Sequence, residues 1–280
     1  MACKVSGLIV ADNQKEMMNE DGRIEKSAMV EAPKSLQDES GIFLIDKPSG
    51  PTSFAIVKQI RNILGIKKVG HSGTLDPLAS GLLVVCAGRP ATKIIPLLME
   101  GDKEYEATVG LGVETDTNDL EGKVVASIEV PEISDRKIIS CLASFVGKQL
   151  QTPPQFSALK HNGKPLYYYA RRGIKVDKEA RQIEISAIDC LNISPAELDI
   201  RIVCSKGTYI RVFAADIGRS LGCGGHLAAL RRTRSGPFSI ASAMPGDMLV
   251  DKQEALRLLM ENRKSVDEVK EILMTSRKEL

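Results

Sequence analysis

Residues Gly70-His71-Ser72-Gly73-Thr74-Leu75-Asp76-Pro77-Leu78-Ala79-Ser80-Gly81 constrain this chain more than any other stretch. Three glycines and a proline in twelve residues do not sustain a helix or a strand, and they predict a shaped loop. Asp76 precedes Pro77, whose ring pushes the aspartate out of the helical region into an extended conformation. The glycines let backbone or ligand approach closely. The apolar run Leu82-Leu83-Val84-Val85-Cys86-Ala87 follows at once and reads as a buried strand. One acid is thus held at the edge of a sheet in a loop with little freedom. Asp-Pro alone is ordinary turn chemistry, so the rest of the chain has to decide what the acid is for.

A chain of 280 residues makes one large domain or two small ones. No apolar run approaches the roughly 20 residues that span a bilayer. The N-terminus lacks the order of a secretion signal, and Asp12, Glu16, Glu20, Asp21 and Glu25 argue against a transit peptide. Cys3, Cys86, Cys141, Cys190, Cys204 and Cys223 are scattered, which is neither a zinc pattern nor a disulfide framework. We read a reduced, cytoplasmic protein without a metal. The net charge of +2 names no partner, but its distribution does. Eight Lys/Arg stand against two acids from Lys148 to Arg181, and seven against one from Arg201 to Gly236. Two basic blocks in a balanced chain predict a surface that faces a polyanion.

In chain order, residues 1–40 are polar and acidic and predict a flexible extension. Gly41 to Asp46 is a short strand, Lys47-Pro48-Ser49-Gly50-Pro51 a turn, and Thr52 or Ser53 the cap of a helix carrying Ile56, Ile60, Ile63 and Leu64, with Gly65 as its stop. A helix runs from Ile94 to Met99. Tyr105, Ala107 and Val109 share one face of the next strand. Residues 115–122 are rich in turn formers, and Ser134 caps a helix ending before Gly147. Between 151 and 181 lies a basic segment in which Tyr167, Tyr168 and Tyr169 adjoin Arg171 and Arg172, as stacking on unpaired bases and phosphate neutralisation require. Residues 182–193 and 198–204 alternate apolar and polar around Ser194-Pro195, which predicts an antiparallel hairpin. Arg211 opens a helix to Leu221, away from the end where a cation is favoured, so it needs an anion, and Asp76 is the candidate. Leu227 to Arg232 is a short strand. Amphipathic helices after Met244 are expected on the back of the sheet. Short alternating strands mixed with helices give an α+β class with a mixed, mostly antiparallel sheet flanked by helices.

Leu44 to Ser53, Gly70 to Gly81, Lys103-Glu104-Tyr105, Thr115 to Gly122, the Gln151–Gly173 segment, Cys204 to Arg211 and Leu230-Arg231-Arg232-Thr233 together resemble, in order, the motifs of the TruB family of pseudouridine synthases. The resemblance runs from about Leu44 to Phe238 and implies the pseudouridine synthase fold, with RNA in a cleft across the sheet. It implies isomerisation of uridine 55 in the T-loop of tRNA. Asp76 is then the catalytic carboxylate, as nucleophile or base, Tyr105 stacks near the flipped base and assists proton removal at C5, and Arg211 pairs with Asp76. Leu230 walls the pocket, and His71 and Tyr209 contact RNA or the target nucleotide. Lys93, Arg171, Arg172, Arg231 and Arg232 are assigned to RNA binding. Such chemistry needs no cofactor. The partner is the T-stem-loop of tRNA, with no obligatory protein partner, and the chain is a monomer. The expected division is an extension at 1–40, a catalytic domain at 41–243 with the insertion at about 151–181, and a helical tail at 244–280, too short for the RNA-binding PUA domain that bacterial members often carry. Two other readings stand beside this one: an RNA chaperone for tRNA, and a guide-RNA-dependent synthase acting on ribosomal RNA.

Overall fold

The computed structural model describes residues 40–276, so the expected flexible extension falls, except for Ser40, outside the described residues. The first elements are β1 (Gly41–Lys47), α1 (Ser53–Leu64), β2 (Val69–His71), β3 (Ser80–Ala87), α2 (Arg89–Lys93), α3 (Ile95–Met99) and β4 (Lys103–Leu111). Then come β5 (Val113–Thr115), β6 (Val124–Ser127), α4 (Asp135–Ser144), β7 (Gly147–Gln151), β8 (Lys160–His161), β9 (Lys164–Pro165) and α5 (Leu166–Ala170). The chain continues with β10 (Arg181–Ile193), β11 (Glu197–Cys204), α6 (Ile210–Leu221), β12 (Gly225–Ser235), β13 (Phe238–Ser239), β14 (Met244–Pro245), α7 (Lys252–Glu261) and α8 (Val266–Ser276).

A ten-stranded sheet in the order β14-β1-β3-β12-β4-β11-β10-β7 forms the frame, with β2 added to β3 and β13 to β12. It is antiparallel except at β1–β14 and β3–β12. The fold is α+β with a mixed central sheet. The β3–β12 seam sets the site, because Ser80 and Gly81 pair with Arg231 and Arg232 and so lay the Asp76 loop beside them. Gly81 has φ +103°, and a Cβ there would run into the Arg232 backbone, so only glycine fits.

Alternation decides the layers. Phe43 and Ile45 of β1, with Leu83 and Val85 of β3, point into a core shared with α1, α4, α6 and α7. Ile42, Leu44, Leu82, Val84 and Cys86 point the other way, into a second core shared with α2, α3 and α8. Strands β1 and β3 are therefore buried on both faces, which explains why they read as continuous apolar runs.

The structure departs from the sequence expectations in three places. The short strand expected at 227–232 is the eleven-residue β12, because it lies between β3 and β4 and its polar residues find partners inside. The helix expected from Ile94 to Met99 is present as α3, and an unexpected short helix, α2, precedes it; the two meet at Ile94, since Pro96 stands near the start of the second and cannot extend the first. The helices after Met244 divide between the two faces: Ala255 and Leu259 of α7 join the first core, Val269 of α8 the second. Among the described residues no helix is long and apolar enough to cross a membrane.

Candidate active site

The loop from Ser72 to Ala79 is held by the turn that joins β1 to α1. Thr52 is the helix cap, its side chain accepting from Ala55 N at 3.0 Å. Ser53 is thereby released from capping, and its hydroxyl donates to Leu75 O at 2.9 Å and accepts from Leu75 N at 2.8 Å. Ser49 Oγ donates to Leu78 O at 2.9 Å, and Gly50 N to Pro77 O at 2.8 Å. Buried Lys47 gathers the turn through Pro48 O and Pro51 O, both at 2.8 Å. Burial lowers its pKa to about 8, against the pull of the Asp76 charge. From the other side, Arg232 donates to Leu82 O at 2.7 Å and Gly73 O at 3.2 Å. Every flank of Asp76 is thus tied to a rigid element.

Asp76 itself is 38% exposed and meets Arg211 Nε at 2.8 Å, while Arg211 is 5% exposed. A short turn, in which Thr208 Oγ1 donates to Ser205 O at 3.0 Å, leads from β11 to Tyr209 and to the first turn of α6, which carries Arg211. Arg211 then divides its donors among separate segments: Nη1 to Thr117 O at 3.0 Å, Nη2 to Phe156 O at 2.8 Å, and an ion pair with Asp119 at 3.4 Å. A forked, planar cation can bridge these segments in a way that a point charge cannot.

Two cavities flank the pair. The first, about 290 Å³, is bounded by Met99, Lys103, Tyr105, Tyr209, Leu230 and Arg232. Antiparallel pairing sets Tyr105 opposite Arg232 and Ala107 opposite Leu230, so the aromatic ring, the apolar wall and the guanidinium share one face. The second, about 530 Å³, is bounded by Phe54, His71, Thr117, Glu121, Tyr167 and Arg171. Burial pushes the Tyr105 and Tyr209 phenols above their ordinary values, so both are protonated at neutral pH. Burial, then the Arg232 charge, holds His71 below its ordinary value, and its Nδ1 accepts from Gly73 N at 3.3 Å. Burial, aided by Arg232, lowers Lys103 to about 8. Among the described residues no three His, Cys, Asp or Glu side chains converge as a metal site requires.

This loop, its arginine and its tyrosine strand coincide with a known sequence family. Residues 61–210 match the model of the TruB family pseudouridylate synthase N-terminal domain, and residues 211–273 that of the tRNA pseudouridylate synthase B C-terminal domain. The tRNA pseudouridine synthase B of Desulfotalea psychrophila is 54% identical over 240 residues, covering 84% of this chain and 97% of that protein. The chain belongs to the TruB family. The corresponding protein of Aromatoleum aromaticum is 50% identical over 204 residues, covering 73% of this chain and 66% of that one. Among solved structures, a Cbf5–Nop10–Gar1 complex aligns with TM-score 0.63 and 30% identity over 83% of this chain and 61% of the matched one. The archaeal box H/ACA Nop10–Cbf5 complex gives 0.60 and 27%, over 85% and 63%. This TruB family chain thus spans about three fifths of those solved chains. The two family models meet between Ile210 and Arg211, inside the first turn of α6, so that junction is not a structural boundary.

The expected residues separate into groups. Asp76, Tyr105, Arg211, Tyr209 and Leu230 converge on the first cavity, and His71 and Arg171 line the second. Arg172 lies 3.6 Å from the centre of the Tyr168 ring, away from both cavities, on the exposed side of the insertion. Lys93 is exposed at the end of α2 and lines neither cavity. The two arginines of β12 assigned to RNA binding differ in their surroundings. Arg232 is 3% exposed and spends its donors on loop and strand carbonyls, and Arg231 pairs with Asp46 at 2.7 Å. Neighbours on a strand face opposite sides: Arg232 is buried against the first cavity, and Arg231 keeps 41% of its side chain exposed. Sequence reasoning assigned no site role to Lys47, Ser53, Lys103 or Ser157. For Lys47 the available signal was a lysine ending an apolar strand just before a proline turn.

Proposed function

We propose that this chain isomerises uridine 55 in the T-loop of tRNA to pseudouridine, without a cofactor. It works as a monomer in the cytoplasm, without an obligatory protein partner. The observation that supports this reading above the others is the Asp76–Arg211 pair at 2.8 Å, opening onto a cavity of nucleobase scale lined by Tyr105 and Leu230. The reaction breaks the N1–C1′ bond, turns the uracil and joins C5 to C1′; C5 loses its proton and N1 gains one. Asp76 is the carboxylate that attacks or abstracts, Arg211 holds it in place, and Tyr105 and Leu230 hold an extruded base. A protonated Tyr105 beside the uracil edge assists proton traffic at C5. His71, Tyr209 and Arg171 take the flanking nucleotides; Arg172 and Lys93 take phosphates. The catalytic unit is 41–243 and residues 244–280 are its tail, with α7 and α8 packed on the two cores.

The guide-RNA reading draws on the likeness to solved complexes at 27–30% identity, and the tRNA reading on 54% identity over 97% of a protein named tRNA pseudouridine synthase B. The second likeness is the stronger and more complete. The test is to incubate the chain alone with an unmodified tRNA transcript and map pseudouridine along it. A single mark at the T-loop uridine is expected. A requirement for added guide RNA, or binding without any mark, overturns the reading in favour of the other two.

A further inference from the structure

From Lys47 to Leu75 the chain holds five lysines and arginines and no acid. Lys47 is buried in its turn, whereas Lys58, Lys67 and Lys68 are exposed and Arg61 is half-buried. On α1, Phe54, Lys58 and Arg61 follow one another at i, i+4 and i+7, so they form a stripe on the face away from buried Ile56, Ile60 and Ile63. Phe54 heads that stripe and is 61% exposed, with the Arg61 guanidinium 5.9 Å from the centre of its ring. Water thus meets most of an aromatic ring whose burial would stabilise the fold.

The place of this ring says what it is for. Phe54 lines the second cavity, of about 530 Å³, with His71, Tyr167 and Arg171. Asp76 and Arg211 line both cavities, so the two spaces adjoin at the reacting carboxylate. A strand that sets its target uracil against Tyr105 and Leu230 therefore brings the next nucleotide to the second cavity. A base drawn out of a folded loop has lost its stacking neighbours, and an accessible aromatic ring replaces one of them whatever the base is. The cations beside Phe54 on α1 suit the phosphates of such a strand. A protein partner docking through Phe54 would have to cover those cations without an answering apolar surface on the stripe.

We infer that Phe54 is the stacking platform for the unpaired base adjoining the target uridine, an inference that rests on the pseudouridine synthase reading above. The role separates from a structural one because the ring is exposed. Phe54→Ala leaves the melting temperature within about 2 °C of wild type while weakening RNA binding.

The experiment is a binding cycle by fluorescence anisotropy with T-stem-loop RNA that is intact, or abasic at the position before or after the target uridine. Phe54→Ala and Phe54→Leu should each lose about tenfold in affinity for intact RNA, as the removal of one stacking ring implies, and Phe54→Trp should lose nothing. At one of the two abasic positions wild type should lose at least tenfold, and Phe54→Ala about tenfold less than wild type does. Unchanged affinity of Phe54→Ala, a leucine that serves as well as phenylalanine, or losses that simply multiply at both positions would each overturn the inference. So would a melting temperature of Phe54→Ala well below that of wild type. Wild type that forms no pseudouridine would defeat the proposed function instead, and the binding cycle would still read the Phe54 contact.

Discussion

Arg211→Lys is the substitution that most sharply tests how the site is built. The charge survives, but the fork does not. Arg211 reaches Asp76 at 2.8 Å, Thr117 O at 3.0 Å and Phe156 O at 2.8 Å, in three directions from one plane. A lysine on its flexible stem can follow Asp76 and must abandon the two carbonyls. Each is a bond from a charged donor in a residue 5% exposed, and losing such a bond costs about 1.5 kcal/mol, hence about 3 kcal/mol for the two. In a fold of this size a kcal/mol moves the melting temperature by roughly 2–4 °C, so the variant should melt roughly 6–12 °C lower. The loop at 115–122 and the insertion at 156–158 also lose their common anchor over Asp76, and displacement of about 1 Å at a reacting group lowers turnover about 100-fold. Calorimetry and single-turnover pseudouridine formation read the two effects on one preparation. A variant melting within about 2 °C of wild type, with undiminished turnover, would refute the claim that Arg211 is the hub of the site.

Two further substitutions test the supports of the loop. Lys47 titrates near 8 in the fold against 10.5 in an open chain, so between those values the unfolded state holds the extra proton and stability rises with pH. The urea midpoint of wild type should therefore climb from about pH 8 toward pH 10, and Lys47→Met should climb less; equal slopes would contradict the burial of this ammonium. Gly81→Ala drives a methyl into the Arg232 backbone at φ +103°, which should cost about 3 kcal/mol in urea unfolding, and a midpoint equal to wild type would show that the β3–β12 seam is looser than described.

The sequence made some of this legible and hid the rest for physical reasons. The 70–81 loop, the hairpin around Ser194 and the Asp76–Arg211 pairing follow from local rules: Gly and Pro punctuation, alternation of period two, and a cation misplaced at a helix start. Even there the loop is shorter than its composition suggests, because Gly70 and His71 pair with β3 and Gly81 with β12. What local rules could not give is the neighbourhood across the sheet. The parallel seam that places Arg232 beside Gly81 joins strands about 150 residues apart, and an antiparallel one sets it opposite Tyr105, so no local signal shows that this arginine of a basic block is buried against the first cavity. Ser53 read as a possible cap because capping is a local signal, whereas its bond to Leu75 is not.

The central claim is that the carboxylate of Asp76 carries the isomerisation. It is tested most directly by tritium release from T-stem-loop RNA labelled at uracil C5, with wild type and Asp76→Asn side by side. Release by wild type, and none above background from a variant that still binds the RNA, is the predicted result. Release by Asp76→Asn at the wild-type rate would contradict it.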